Sequence, residues 1–347
     1  TNLNENTTSL KPNNINVMSS ELKLELSNEN HNLTTGFQSF ENLQLEKNNR
    51  YQYILPYYNF NKSLLPSFVD GSFDLSSNGS NDLNNTNQLT TKITNNLSYS
   101  SIDYFTNFGI KNNFNINLKN LNSLGKNVKK YKSNPQIELA SLFEVNSSIP
   151  LQKKTKNYIN YFTPKISLRA NPGDMKNHST DKRIINTDNI FSIDRLGLGD
   201  SFEAGKSLTL GFDYKKQMLE DMNKYFELKL GSVIRDEEED FMPKKSTLNK
   251  KTSNIFGSLS SNFIENLNLG YNFSLDNNLD EIEYNDINLD LSINNFVTSF
   301  NFIKEMDEIG DENFLSNTTS YKFDDNNQIT FSTRRNRKIN LTEFYDL

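Results

Sequence analysis

Leu267-Asn268-Leu269-Gly270-Tyr271-Asn272-Phe273-Ser274-Leu275 sets an apolar side chain on every second residue and a small or polar one between. Ile287, Leu289, Leu291 and Ile293 repeat the alternation around Asn288, Asp290 and Ser292. Successive side chains of a strand point to opposite faces, so each segment reads as a strand with one apolar and one polar face. A soluble sandwich and a membrane barrel both use that pattern. Working outward, strands are expected at 21–27, 51–59, 113–119, 136–146, 207–215, 225–230, 296–302, 320–323, 329–333 and 339–345. Asn, Asp, Gly and Ser cluster at 76–87 and 276–280, which is turn chemistry. The spacing predicts roughly fourteen to sixteen strands of barrel-strand length. Short connections at 294–295 and 324–327 contrast with long ones at 171–201 and 236–251, as the two ends of an outer-membrane barrel do.

Composition narrows the choice. Only 34% of the 347 residues are hydrophobic and mean hydropathy is −0.70, low for a chain that must fill a two-layer core. A barrel with a polar lumen needs only alternate apolar residues, so it fits these values. Asn takes about one position in six, yet 12% aromatic residues argue against general disorder. The net charge of −6 makes nucleic acid an improbable partner. No apolar run reaches the length of a membrane helix. The polar start at 1–9 has no export signal, so the sequence is expected to be an internal piece of a longer protein. Cysteine is absent, which excludes disulfides and thiolate metal sites within these residues.

Catalytic motifs do not assemble. His31 and His178 lie far apart in polar sequence and are expected at the surface, with no nucleophile beside either. Gly205-Lys206-Ser207 resembles the end of a phosphate loop, but Asp200 stands where that loop needs glycine, and a strand follows instead of a helix. The run Asp236–Asp240 lacks the interleaved spacing of a calcium loop and reads as a solvated loop apex. Lysines cluster at Lys126, Lys129, Lys130 and Lys132, at Lys153, Lys154 and Lys156, and at Lys244, Lys245, Lys250 and Lys251. Each cluster is either solubilising charge or a contact for anionic lipid. Arg334, Arg335, Arg337 and Lys338 would be expensive on a lipid face, so they are expected inside a lumen or beyond the hydrocarbon band.

Three segments carry a resemblance. Arg50-Tyr51-Gln52-Tyr53-Ile54-Leu55-Pro56-Tyr57 resembles a barrel strand of the lipopolysaccharide-assembly LptD (organic solvent tolerance) family. Asn189–Leu196 followed by Asp200–Lys206 resembles that family's loop entering a strand, with Arg195, Glu203 and Gly205 as landmarks. Residues 331–347 are similar to the penultimate region of alphaproteobacterial members, with landmarks Arg334, Arg335, Asn336, Arg337, Glu343 and Tyr345. The resemblance implies an all-β, antiparallel transmembrane β-barrel in the cell outer membrane. It implies lipopolysaccharide as cargo, an LptE-like plug lipoprotein, periplasmic Lpt bridge proteins and outer-membrane lipids as partners. Transport of this kind makes no bond, so no enzyme activity, cofactor, metal or catalytic residue is expected. Residues 1–347 are expected to be one partial barrel domain, without the family's N-terminal jellyroll, its usual cysteine pair and the final closing strands. Such a section would leave open sheet edges and would not insert stably alone. Its polar lumen would carry the sugar headgroup while the acyl chains leave laterally. Rival readings are another outer-membrane barrel (a porin or TonB-dependent receptor) and a secreted β-rich adhesin.

Overall fold

The computed structural model describes residues 17–46, 49–67, 69–129, 131–324 and 327–346. The segment 1–9, Lys130, Leu347 and the centre of the 324–327 turn lie outside the described residues. The described chain is all-β apart from one short 3-10 turn at Lys244–Ser246. In chain order the strands are β1 (Val17–Asn28), β2 (His31–Asn42), β3 (Tyr51–Leu64), β4 (Gly71–Asn84) and β5 (Gln88–Ser101). Next come β6 (Tyr104–Phe105), β7 (Lys111–Lys126), β8 (Gln136–Ser148), β9 (Leu151–Lys154) and β10 (Tyr158–Asn171). They are followed by β11 (Gly205–Met218), β12 (Tyr225–Arg235), β13 (Ile255–Ser261), β14 (Leu267–Leu275) and β15 (Ile282–Ile293). The last are β16 (Phe296–Glu305), β17 (Asn313–Lys322), β18 (Gln328–Asn336) and β19 (Leu341–Asp346).

Two compact units divide the chain, one reaching to Ile102 and including Ile116–Ser141, the other formed by Asp103–Asn115 and the residues from Leu142 onward. In the first unit β1 to β5 pair antiparallel, each with the next in sequence. In the second, β10 pairs with β8 and β9 on one side and β11 on the other, and the meander continues strand by strand to β19. Among the described residues β1 has β2 as its one paired neighbour and β19 has β18.

Nineteen strands are described, more than the sequence spacing predicts. Two of the extra ones, β6 and β9, have only two and four residues. Others, β4 and β5 among them, are strands whose alternation is masked by polar residues on both faces. β4 (Gly-Ser-Phe-Asp-Leu-Ser-Ser-Asn-Gly-Ser-Asn-Asp-Leu-Asn) occupies most of the stretch expected to be a turn at 76–87. Its polar side chains are bound across strands, Ser77 Oγ donating to Asn95 Oδ1 at 2.6 Å and Thr91 Oγ1 to Asn81 Oδ1 at 2.8 Å. Satisfied amides and hydroxyls let a strand form where propensity alone favours a turn.

Burial decides between sandwich and barrel. On β8, β10, β11 and β12 one row of apolar residues is exposed, Phe143 45%, Val145 48%, Leu168 54%, Leu210 43% and Ile234 44%, while Leu142 and Val233 on the opposite face are buried. Their polar neighbours Glu144, Ser167, Arg169, Thr209 and Arg235 are buried. A sandwich buries the opposite set. An outer face of apolar side chains over an inner polar face is the arrangement of a strand that meets lipid on one side.

Candidate functional site

The inner polar face of the second unit is organised around one rung of the sheet. Glu144 of β8 is the cross-strand partner of Arg169 on β10, Arg169 of Ser207 on β11, and Ser207 of Arg235 on β12. Directly opposed residues of neighbouring strands point to the same side, so three charged groups and a hydroxyl share one inner row. The connection 172–204 folds over that row and supplies Arg195 and Glu203. Arg195 grips Glu203 with two nitrogens, Nε donating to Oε2 at 2.7 Å and Nη2 to Oε1. The same guanidinium donates to Thr209 Oγ1 at 2.8 Å and Ser207 Oγ at 2.9 Å. Arg235 Nη1 donates to Glu203 Oε1 at 2.6 Å and its Nη2 to the Ala204 carbonyl. Arg169 Nη2 lies 2.6 Å from Glu144 Oε2, and its Nη1 lies 3.7 Å from Glu203 Oε2.

Three guanidinium groups thus surround two carboxylates. Burial alone would raise the Glu203 carboxyl, but the charges of Arg195, Arg169 and Arg235 and the Arg195 hydrogen bonds outweigh it and hold it down at about 2. Bidentate, charge-assisted pairing makes the geometry specific to arginine and carboxylate.

The loop's apolar residues fix its height above the sheet. Ile190 and Phe191 pack onto Gly231 and Gly211, which are partners on β12 and β11. A Cβ on Gly211 would come within 2.9 Å of the Phe191 ring and 2.5 Å of the Leu230 carbonyl, so this approach requires glycine. Ile185, Ile190, Leu196, Met242 and Leu248 form a buried cluster with Val233 and Phe256, joining 172–204 to the second long connection, 236–254. Gly205 ends the loop with φ +73°, a left-handed turn into β11. Lys206 N–H then donates to Asp236 Oδ1 at 3.1 Å.

His178 departs from expectation. It is buried, with Nδ1 2.8 Å from Asp181 and Nε2 2.9 Å from Asp200 and 3.2 Å from Ser201 Oγ. The loop that looks like solvent-facing polar sequence is packed against the sheet, and its histidine goes inside with it. His31 is exposed at the start of β2, as expected.

The structure gathers Arg195, Glu203 and Gly205 into this rung and leaves the other landmarks elsewhere. Arg334 is on the inner side of β18, opposite Ser316, with its Nε 3.1 Å from Glu343 and its guanidinium 4.2 Å from the Phe314 ring centre. Arg335 donates to Asn340, Asn336 Oδ1 accepts from Lys338 N–H at 3.1 Å, and Arg337 lies 5.4 Å from the Phe302 ring in the turn. Tyr345 stands 6.3 Å from Phe331 and is exposed. Sequence reading passes over Glu144, Arg169 and Arg235. The available signal is a charge inside an apolar stretch: Phe143-Glu144-Val145, Leu168-Arg169-Ala170 and Val233-Ile234-Arg235.

A second inner ladder crosses β14, β15 and β16. Asn272 Nδ2 donates to Asp286 Oδ2 at 3.2 Å, Asn288 Nδ2 to Asp286 Oδ1 at 3.0 Å, and Asn301 to Asn288. Arg334 shares this face through the partner series Asn288, Asn301, Ser316. Amides, carboxylates and guanidinium groups in a row offer closely spaced donors and acceptors. Among the described residues no group of three or more His, Asp or Glu is placed to hold a metal ion.

The sequence model of a family described as LptD, LPS transport system D, matches residues 2–336. No curated protein matches. Among solved structures, the chain is similar to the crystal structure of the siderophore receptor PirA from Acinetobacter baumannii at 8% identity and a TM-score of 0.31. That match covers 92% of this chain and 65% of the receptor chain, so the chain spans less than two thirds of its length.

Proposed function

The chain belongs to the LptD family, outer-membrane β-barrels, and from that premise we propose that it is the barrel section that moves lipopolysaccharide to the outer leaflet. The inner face takes the sugar headgroup and the acyl chains leave sideways between strands. One observation carries this reading: the continuous inner ladder of Asn272, Asp286, Asn288 and Asn301. A saccharide exchanging water for many weak partners can advance along such a ladder without a single deep binding site. The buried rung fixes the 172–204 loop over part of that face and shapes the route. An LptE-like lipoprotein inside the barrel and periplasmic Lpt bridge proteins complete the proposed path.

The test is depletion of the full-length protein in its host, with surface labelling of newly made lipopolysaccharide. Export is expected to stop while other barrels still assemble. Unchanged export would overturn the reading.

A further inference from the structure

On the outer face of the second unit a groove of about 500 Å3 lies where β8 gives way to β9. That volume is within the roughly 300–1,000 Å3 range of small-ligand pockets. Ile110, Ile149, Pro164, Ile166 and Leu210 wall it, with Asn112 and Ser147 at its edge. These two polar groups satisfy each other, Ser147 Oγ donating to Asn112 Oδ1 at 2.6 Å. The groove therefore offers hydrocarbon almost throughout.

Following the strands from the groove toward the end with the short connections 219–224, 262–266 and 294–295, the outer face turns aromatic and then basic. Phe162 meets Phe212 at 5.5 Å, Tyr158 meets Phe263 at 6.1 Å, and Lys216 Nζ lies 4.3 Å from the Tyr158 ring centre. Leu151 and Lys153 continue the outer face from Ile149, because their partners on β10 are Phe162 and Asn160. Tyrosine with lysine at one level is the composition of a membrane interface, where long cations reach the headgroups. Residues 151–157 and 214–224 together hold six lysines against Glu220 and Asp221. Lys153, Lys154 and Lys156 are exposed, and among the described residues no carboxylate pairs with them.

The distances suit a lipid. Ile166 to Asn160, beside Lys153, is roughly 20 Å of strand, or about 15 Å of depth at a barrel tilt near 40°. Half of a hydrocarbon core of about 30 Å is the same depth. Short connections face the periplasm in barrels of this class. We infer that this groove holds one acyl chain of an anionic glycerophospholipid of the periplasmic leaflet, with its phosphate between Lys153 and Lys216. The inference needs only a strand wall in the outer membrane and is independent of the cargo.

The full-length protein, purified and exchanged into nanodiscs containing equal phosphatidylglycerol and phosphatidylcholine, would be analysed by native mass spectrometry for retained lipid. Retention of phosphatidylglycerol about tenfold above phosphatidylcholine is expected. Lys153→Glu with Lys216→Glu should bring the ratio to about one, and Leu210→Trp should remove retained lipid of both kinds, with heat-modifiable migration unchanged in each. Equal retention by the wild-type protein, or a preference unaltered in the lysine variant, would overturn the assignment. Lipopolysaccharide displacing phosphatidylglycerol with the same lysine dependence would overturn it too, since the occupant would then be the cargo.

Discussion

Arginine and glutamate pair in two regions of this chain with opposite physical consequences. In the rung under the 172–204 loop, the side chains of Arg195 and Glu203 are 0% and 5% exposed. In the β18–β19 hairpin, those of Arg334 and Glu343 are 45% and 33% exposed. Water screens the hairpin pair, and Arg334 keeps its contact with the Phe314 ring without it. The buried pair also has partners beyond each other, Thr209 and Ser207 for Arg195 and Arg235 for Glu203, but no water to solvate a charge left unmatched. Removing one partner leaves an ion in a medium that cannot solvate it, a loss of about 3–5 kcal/mol against about 0–1 kcal/mol for a surface pair. Similarity to family landmarks singles out both regions equally; burial alone separates them.

The largest expected effect is Glu203→Gln. The substitution keeps the shape of the side chain and leaves Glu144 as the one carboxylate paired with the three guanidinium groups of the row. Urea unfolding of the full-length protein in detergent should lose about 3–5 kcal/mol. Limited proteolysis should begin to cut within 172–204. A loss below about 1 kcal/mol would mean that Ile190, Leu196 and their apolar neighbours hold the loop unaided, and the contrast between the regions would collapse.

Acid tests the same carboxylate without mutation. Glu203 binds its proton at about 2 in the folded protein against an ordinary value of 4.5. A depressed folded value means that the unfolded chain takes up the proton first as pH falls. The stabilisation is therefore complete above about pH 4.5 and is lost on going down toward pH 2, in total on the order of 3 kcal/mol. Stability profiles of wild type and Glu203→Gln should converge across that window. Parallel profiles between pH 5 and pH 2 would show that another group governs the acid limb.

The strands with clean alternation, β14 and β15, are legible in the sequence because one face is apolar and the other is not. β4 and β5 are not, because Asn and Ser line both faces and what holds them in register is cross-strand hydrogen bonding, a property of the pair rather than of either segment. The landmarks Arg195 and Glu203 are legible as a motif, whereas their meaning is not. Glu144, Arg169 and Arg235 follow one another at separations of 25 and 66 residues in sequence, and only strand register brings them to one row. His178 shows the same limit: its polar neighbours suggest solvent, and the loop's apolar residues, spaced without a regular period, carry it inward.

The smallest expected effect sharpens the comparison from the other side. A double-mutant cycle on Arg334→Ala and Glu343→Ala should return a coupling of about 0.2–1 kcal/mol that shrinks as salt is raised. Arg334→Ala alone should lose more than Glu343→Ala alone, because the guanidinium also lies over the Phe314 ring, 4.2 Å from its centre, and that contact does not depend on Glu343. If the coupling instead exceeded about 2 kcal/mol and resisted salt, the inner side of β18 would be as shielded from water as the rung. The pair would then sit in an interior closed to water.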